Sequence, residues 1–186
     1  MDKKLQKNYG DIFSYINENV FELSAKSFLT DFEVILQMAI RNKLTVGKIY
    51  GCWFHYCQAI RRNISYKWKQ LASSIRNNQN ASTIYHKILA LPLLPATQIS
   101  AAFGNIKEEL VNTNMQELFT PFITYYEKQW LRKVTPEVFS VFLKRTQTTS
   151  AVDSYKGVIG RMIQKNGNLL KLLLMKIEKW KFFQIY

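Results

Sequence analysis

Apolar residues along this chain recur mostly in steps of three and four, and the pattern shortens only twice. "DIFSYINENVFEL" opens with Ile12, Phe13 and Ile16 at helical spacing, so the first element expected is a helix. Ser27 to Leu29 then form a short apolar run, expected as a strand ending at Asp31. Thr30 and Glu33 stand as a capping box, Thr30 at N-cap and Glu33 at N3, ahead of the stripe Phe32, Ile35, Leu36, Ala39 and Ile40. Asn42 and Gly47 mark that helix's exit. A second short strand is expected from Lys48 to about Cys52, where Gly51 signals a close backbone approach or a bulge.

From Trp53 one long helix is expected. Trp53, Cys57, Ile60, Ile64, Trp68, Leu71 and Ile75 keep to one face, and Arg61, Arg62, Lys67, Lys69 and Arg76 occupy much of the remainder. "NNQNAS" reads as a loop by composition, and beyond it the chain is helical almost throughout. "TIYHKILAL" is stopped by Pro92, "ATQISAAFGNIKEEL" follows Pro95, and "MQELFTPFITYYEKQWL" comes next. "PEVFSVFLKR" has Thr135 as N-cap and Pro136 at N1, and a last helix or helix pair is expected from Ala151, after "TQTTS". The fold class is therefore α+β, mainly α. Two strands do not make a stable sheet alone, so further strands are expected from elsewhere.

At 186 residues and 47% hydrophobic, the chain is long enough to bury a core. Its net charge of +13, from 26 Lys and Arg against 13 Asp and Glu, points to a polyanionic partner, nucleic acid or an acidic membrane surface, unless the charge serves solubility alone. The distribution says more than the sum. Between Glu33 and Glu108 there is no acidic residue, while ten basic residues fall there. From Tyr126 onward twelve basic residues face four acidic ones. Two positive segments suit a phosphate backbone touched in more than one place. The apolar runs are short or broken, so no membrane span is expected. The amino terminus lacks the apolar stretch of a secretory signal, and two cysteines are too few for a disulfide framework. A nuclear or cytoplasmic, intracellular setting fits these features.

Candidate chemistry concentrates around Asp31 and the cluster Cys52, His55 and Cys57. Asp31 is either a carboxylate favoured by a helix dipole in a first turn or a metal ligand. Cys52 and His55, three apart, share a helix face. They read as a buried thiol with a hydrogen-bonded imidazole, or as part of a zinc site completed by Cys57 and His86. Trp53, Phe54, Tyr56, Trp68 and Trp130 read as core or as base-stacking platforms. No nucleophilic triad and no phosphate-binding glycine loop is found.

A short strand ending in Asp, a helix, a second strand and then C-x2-H opening a basic helix resemble the transposases of Mutator-like elements (the MULE group). "GCWFHYCQAIRR" is similar to that family's Cys–aromatic–His–Gln segment. "ILALPLLPATQISAAF" resembles its Leu-Pro turn, and "YYEKQWL" its Tyr-rich helix with a Trp. "RTQTTSAVDSYKGVIGRMI" resembles the stretch carrying its last acidic residue. The resemblance runs from about Tyr9 through nearly the whole chain.

It implies a partial ribonuclease-H-like core with a helical insertion. Residues 1–62 would be the C-terminal part of that core, 63–147 the insertion and 148–186 a closing helical segment. In the family three carboxylates hold two Mg²⁺ ions for in-line phosphodiester displacement. Asp31 matches the second carboxylate and Asp153 the third, normally Glu, so both are candidate catalytic and metal residues. They should converge to within roughly 4–8 Å if they share a metal pair. Cys52 and His55 match a motif beside the site. The first catalytic Asp, borne on an upstream strand, has no counterpart, since Asp2 and Asp11 lie in frayed or helical context. Lys156 stands where Asn or His is common. The expectation is therefore a fragmentary or degenerate transposase, inactive alone, or a basic nucleic-acid-binding or protein-interaction module without catalysis. DNA is the expected partner, with self-association left open. Arg61, Arg62, Lys67, Lys69, Arg76, Lys144, Arg145 and Arg161 are the expected nucleic-acid contacts.

Overall fold

The computed structural model of the chain describes residues 6–20, 27–44, 48–144 and 147. All of them belong to the unit Met1–Thr149 of the two into which the chain divides. Asp153, Arg145 and Arg161, and the helix expected from Ala151, lie outside the described residues.

Helix α1 (Gln6–Asn19) packs against α2 (Val34–Lys43), and α2 connects strand β1 (Ser27–Thr30) to β2 (Lys48–Gly51). The strands pair in parallel, Ser27 opposite Lys48 and Thr30 opposite Gly51. A parallel pair needs a crossover, and α2 supplies it. The capping box does not form. Phe32 adopts φ 67, which breaks the chain out of helix, and α2 starts three residues later than the box requires, with Glu33 at N-cap. The Asp31 carboxylate accepts the Glu33 N–H at 3.4 Å across that turn. The Thr30 hydroxyl, buried, instead accepts from Gln37 Nε2 at 2.8 Å, and Glu33 accepts from the Tyr9 hydroxyl at 3.0 Å.

The long helix expected from Trp53 is two helices, α3 (Trp53–Lys67) and α4 (Lys69–Asn77), broken at Trp68 (φ −131, ψ 71). The Trp68 ring packs edge-on against Phe122, 5.6 Å between centroids, and tilted against Tyr125 at 5.6 Å. Docking that ring takes the backbone out of helical geometry. "NNQNAS" is not a loop either. Only Asn78 leaves the helix, and its side chain accepts the Ala81 N–H at 3.1 Å as the N-cap of α5 (Gln79–Ala90).

Pro92 ends α5 in a single 3₁₀ turn (Leu91–Leu93), and α6 (Ala96–Asn112) begins after Pro95. Asn114 (φ 55) closes α6, with the Met115 N–H donating to the Leu110 carbonyl. Next come α7 (Gln116–Tyr126), a π-helical turn (Glu127–Val134) and α8 (Pro136–Phe139). Thr135 does stand at the N-cap of α8, but its side chain caps nothing, and the helix is one turn rather than ten residues. The hydrophobic core lies among α3, α5, α6 and α7, around Tyr56, Ile60, Ile84, Phe103, Phe119, Phe122 and Tyr126. Phe54, grouped with the core aromatics by sequence, is exposed. The architecture is thus mainly helical with a small two-stranded parallel sheet.

Pro92 explains how α5 is fastened. It has no N–H for the Ile88 carbonyl, which takes the Leu91 N–H and the Tyr56 hydroxyl at 2.7 Å instead. The Leu89 carbonyl takes Trp53 Nε1 at 2.9 Å. Downstream, the Pro92 carbonyl accepts the Val141 N–H and the Leu94 carbonyl accepts the Ser140 hydroxyl at 2.7 Å. Carbonyls freed at the helix end are thereby satisfied from α3 and from the segment after α8.

Candidate nucleic-acid interface

Asp31 follows the last residue of β1, and Cys52 follows the last residue of β2. The Cys52 N–H donates to the Thr30 carbonyl at 2.8 Å, so both positions lie at the carboxyl edge of the parallel pair. Ligands of open α/β sheets bind outside that edge. The Asp31 side chain is exposed, whereas Cys52 is fully buried at the N-cap of α3. His55, one turn along, is half-buried with its ring edge-on to Phe54 at 5.4 Å.

Cys57 is a free, half-buried thiol, pushed up to about 11 by burial against the opposing pull of the Arg61 guanidinium. His86 is exposed on α5, its Nδ1 donating to the Ser82 carbonyl at 2.8 Å. Among the described residues no group of three or more His, Cys, Asp or Glu side chains is placed to hold a metal ion.

The basic residues form the more developed surface. Arg61, Arg62, Lys67, Lys69 and Arg76 are all exposed on α3 and α4. No carboxylate among the described residues pairs with any of them, whereas Lys87 pairs with Glu109 and Lys107 with Glu127 at 2.9 Å. Lys144 is placed differently, half-buried with its ammonium 5.0 Å from the centre of the Tyr50 ring.

The break at Trp68 decides how the arginines relate. On an unbroken helix Arg61 and Arg76 would sit about 22 Å apart along the axis, at about 1.5 Å per residue. In the folded chain the break redirects α4, and both line one groove of about 260 Å³, with Ser65, Ile75 and Tyr85. A second groove of about 350 Å³ runs beside α3, lined by Arg62, Asn63, Tyr66 and Lys67.

Tyr66, at 77% exposure, is a surface aromatic that sequence reasoning missed. The available signal was its place four residues after Arg62, on the polar side of the stripe. No protein-family model, no curated protein and no solved structure matches this chain.

Proposed function

We propose that the chain is a DNA-binding module of Mutator-like transposase lineage that grips the phosphate backbone with α3 and α4 and does not cut DNA by itself. The observation that carries the proposal is the convergence on one groove of Arg61 and Arg76, neither paired with a carboxylate among the described residues, with Arg62 and Lys67 lining another beside α3. Guanidinium is the side-chain group best matched to phosphate, planar, always charged and able to donate in pairs. In a 74-residue stretch without acidic residues (34–107), no carboxylate competes nearby in sequence.

The lineage rests on the resemblance and is supported by one placement: Asp31 sits at the carboxyl end of a parallel strand, beside the Cys52 position. A ribonuclease-H-like core would place its second carboxylate there. Mg²⁺ requires several oxygen ligands, and the described residues bring one exposed carboxylate, Asp31, to this edge. The described carboxylates that precede it, Asp11 and Glu18, lie on helix α1 rather than on a strand. The proposal is confined to binding, and no step runs through a metal.

Duplex binding measured against salt tests the proposal. Each neutralised phosphate should contribute about 0.9 to the slope of log K against log salt concentration. Replacing Arg61, Arg62, Lys69 and Arg76 together by Gln should flatten that slope by about 3 to 4 and weaken binding at low salt. Replacing the ion-paired Lys87 and Lys107 should change it much less. Equal slopes for the two variants would remove the proposal. Mg²⁺-dependent nicking abolished by Asp31→Asn would replace it with the catalytic reading.

A further inference from the structure

The exposed positions of α3 are arranged as more than a charged surface. Phe54, Gln58, Arg61, Arg62, Ser65 and Tyr66 are exposed, and they recur at steps of three and four, so they form one outward ridge. Viewed down the axis, Gln58 and Ser65 lie near the middle. Arg61 falls on one flank, where it meets Arg76 in the first groove, and Tyr66 falls on the other with Arg62 nearer the centre, where both line the second groove.

Neutral hydrogen-bonding side chains along the middle and guanidinium groups on both flanks match the cross-section of a DNA major groove. That groove is about 12 Å wide, and a helix with its side chains is about 10–12 Å across. Base edges carrying donors and acceptors line its floor, and a phosphate strand runs along each wall.

We infer that α3 lies in the major groove of duplex DNA, with Arg61 and Arg76 on one phosphate strand, Arg62 on the other, and Gln58 and Ser65 facing base edges. This rests on the proposed DNA binding and adds a groove, an element and an orientation to it. The Trp68 break is essential to the arrangement. It brings Arg76 to the Arg61 flank, so that one wall is held from two helices, and α4 borders the ridge at Ser65, which lines the same groove. The ridge from Phe54 to Tyr66 is about 18 Å long and spans roughly five base pairs.

The test separates the groove from mere binding and uses the full chain on three forms of one duplex: unmodified, carrying glucosylated 5-hydroxymethylcytosine that fills the major groove, and saturated with distamycin in the minor groove. Affinity should fall tenfold or more on the glucosylated form and stay within about twofold on the distamycin form. Gln58→Glu should weaken binding to unmodified duplex by tenfold or more. Gln98→Glu, which adds the same charge at an exposed position of α6, should weaken it far less.

Equal affinity for the glucosylated duplex, displacement by distamycin, or tighter binding to single-stranded DNA or RNA would overturn the major-groove assignment and leave backbone binding standing. Absence of binding to unmodified duplex at low salt would end both.

Discussion

Gly51 shows how a single position fixes the approach between the sheet and the helices. A Cβ built on it would lie 2.0 Å from Cε1 and Cζ of Phe32. The Phe32 ring cannot swing away without loss, because it packs edge-on to Trp130 at 5.1 Å and its own backbone is already held at φ 67. Trp130 in turn contacts Tyr56 at 4.6 Å and Phe139 at 5.8 Å. The ring over Gly51 is thus the first in a chain of aromatics reaching into the helical core. Gly51→Ala should cost about 1–3 kcal/mol, the range for overpacking a fitted site. In a Phe32→Ala background the same change should cost close to nothing, because the clashing atoms are gone. Urea denaturation of the four proteins of this cycle measures the coupling. A Gly51→Ala cost unchanged by Phe32→Ala would mean that the ring is not what excludes a side chain there. The glycine was legible in the sequence as a close-approach signal. Its partner was not, since Phe32 looked like a member of the α2 stripe until the turn at Asp31 removed it from the helix.

At the scale of elements, periodicity located segments well and joints badly. Both strands and the apolar faces of α2 and α3 follow directly from their patterns, because burial enforces period there. The Trp68 break was hidden because the stripe Ile60, Ile64, Trp68, Leu71, Ile75 stays in phase across it. A tertiary contact, the Trp68 ring against Phe122 and Tyr125, bends the chain without disturbing the sequence pattern. Asn78 was misleading for the opposite reason. A polar run looks like a loop, yet one residue of it caps a helix and the rest is helical. The Arg61–Arg76 groove depends on the hidden joint, so the candidate site's members could be named from sequence but not their convergence. The hydroxyls that fasten α5 allow a test at this scale. Tyr56 donates to the Ile88 carbonyl, which leaves its oxygen to accept from Tyr126 at 2.8 Å, all fully buried. Tyr56→Phe strips the Tyr126 hydroxyl of its acceptor and the Ile88 carbonyl of a donor, and should cost about 1–3 kcal/mol. Tyr126→Phe leaves the bond to Ile88 intact and should cost about 0.5–1.5 kcal/mol. The double variant should cost less than the sum, since it leaves no orphaned hydroxyl. A larger loss for Tyr126→Phe would reverse the assigned donor order.

For the molecule as a whole, charge and buried acids set opposing trends at high pH. Burial raises Cys57 to about 11 and pushes the phenols of Tyr56, Tyr126 and Tyr125 upward as well. Around Tyr125, the nearby Trp130 indole and the Asn63 amide offset part of that rise. Each group keeps its proton in the folded state at a pH where the unfolded chain releases it. The unfolded chain then binds fewer protons, so stability falls as pH rises. The thiol acts first, in the window from its ordinary value of 9.0 to about 11, and the phenols follow from about pH 10. Lysines begin to lose charge near pH 10.4 or so, which relieves the repulsion of a +13 chain and works the other way. The stability curve of the native chain alone therefore mixes the two effects, and the comparison with a variant isolates one. Urea midpoints at pH 7.5, 9 and 10 under reducing conditions should decline for the native chain. For Cys57→Ala they should decline less over the same interval, because that variant keeps every lysine and phenol and lacks only the first group to titrate. Parallel declines would show that the thiol is exposed enough to ionise equally in both states. The half-buried face of α3 on which Cys57 sits, on the same helix as Arg61, would then be more open to water than the packing of the core implies.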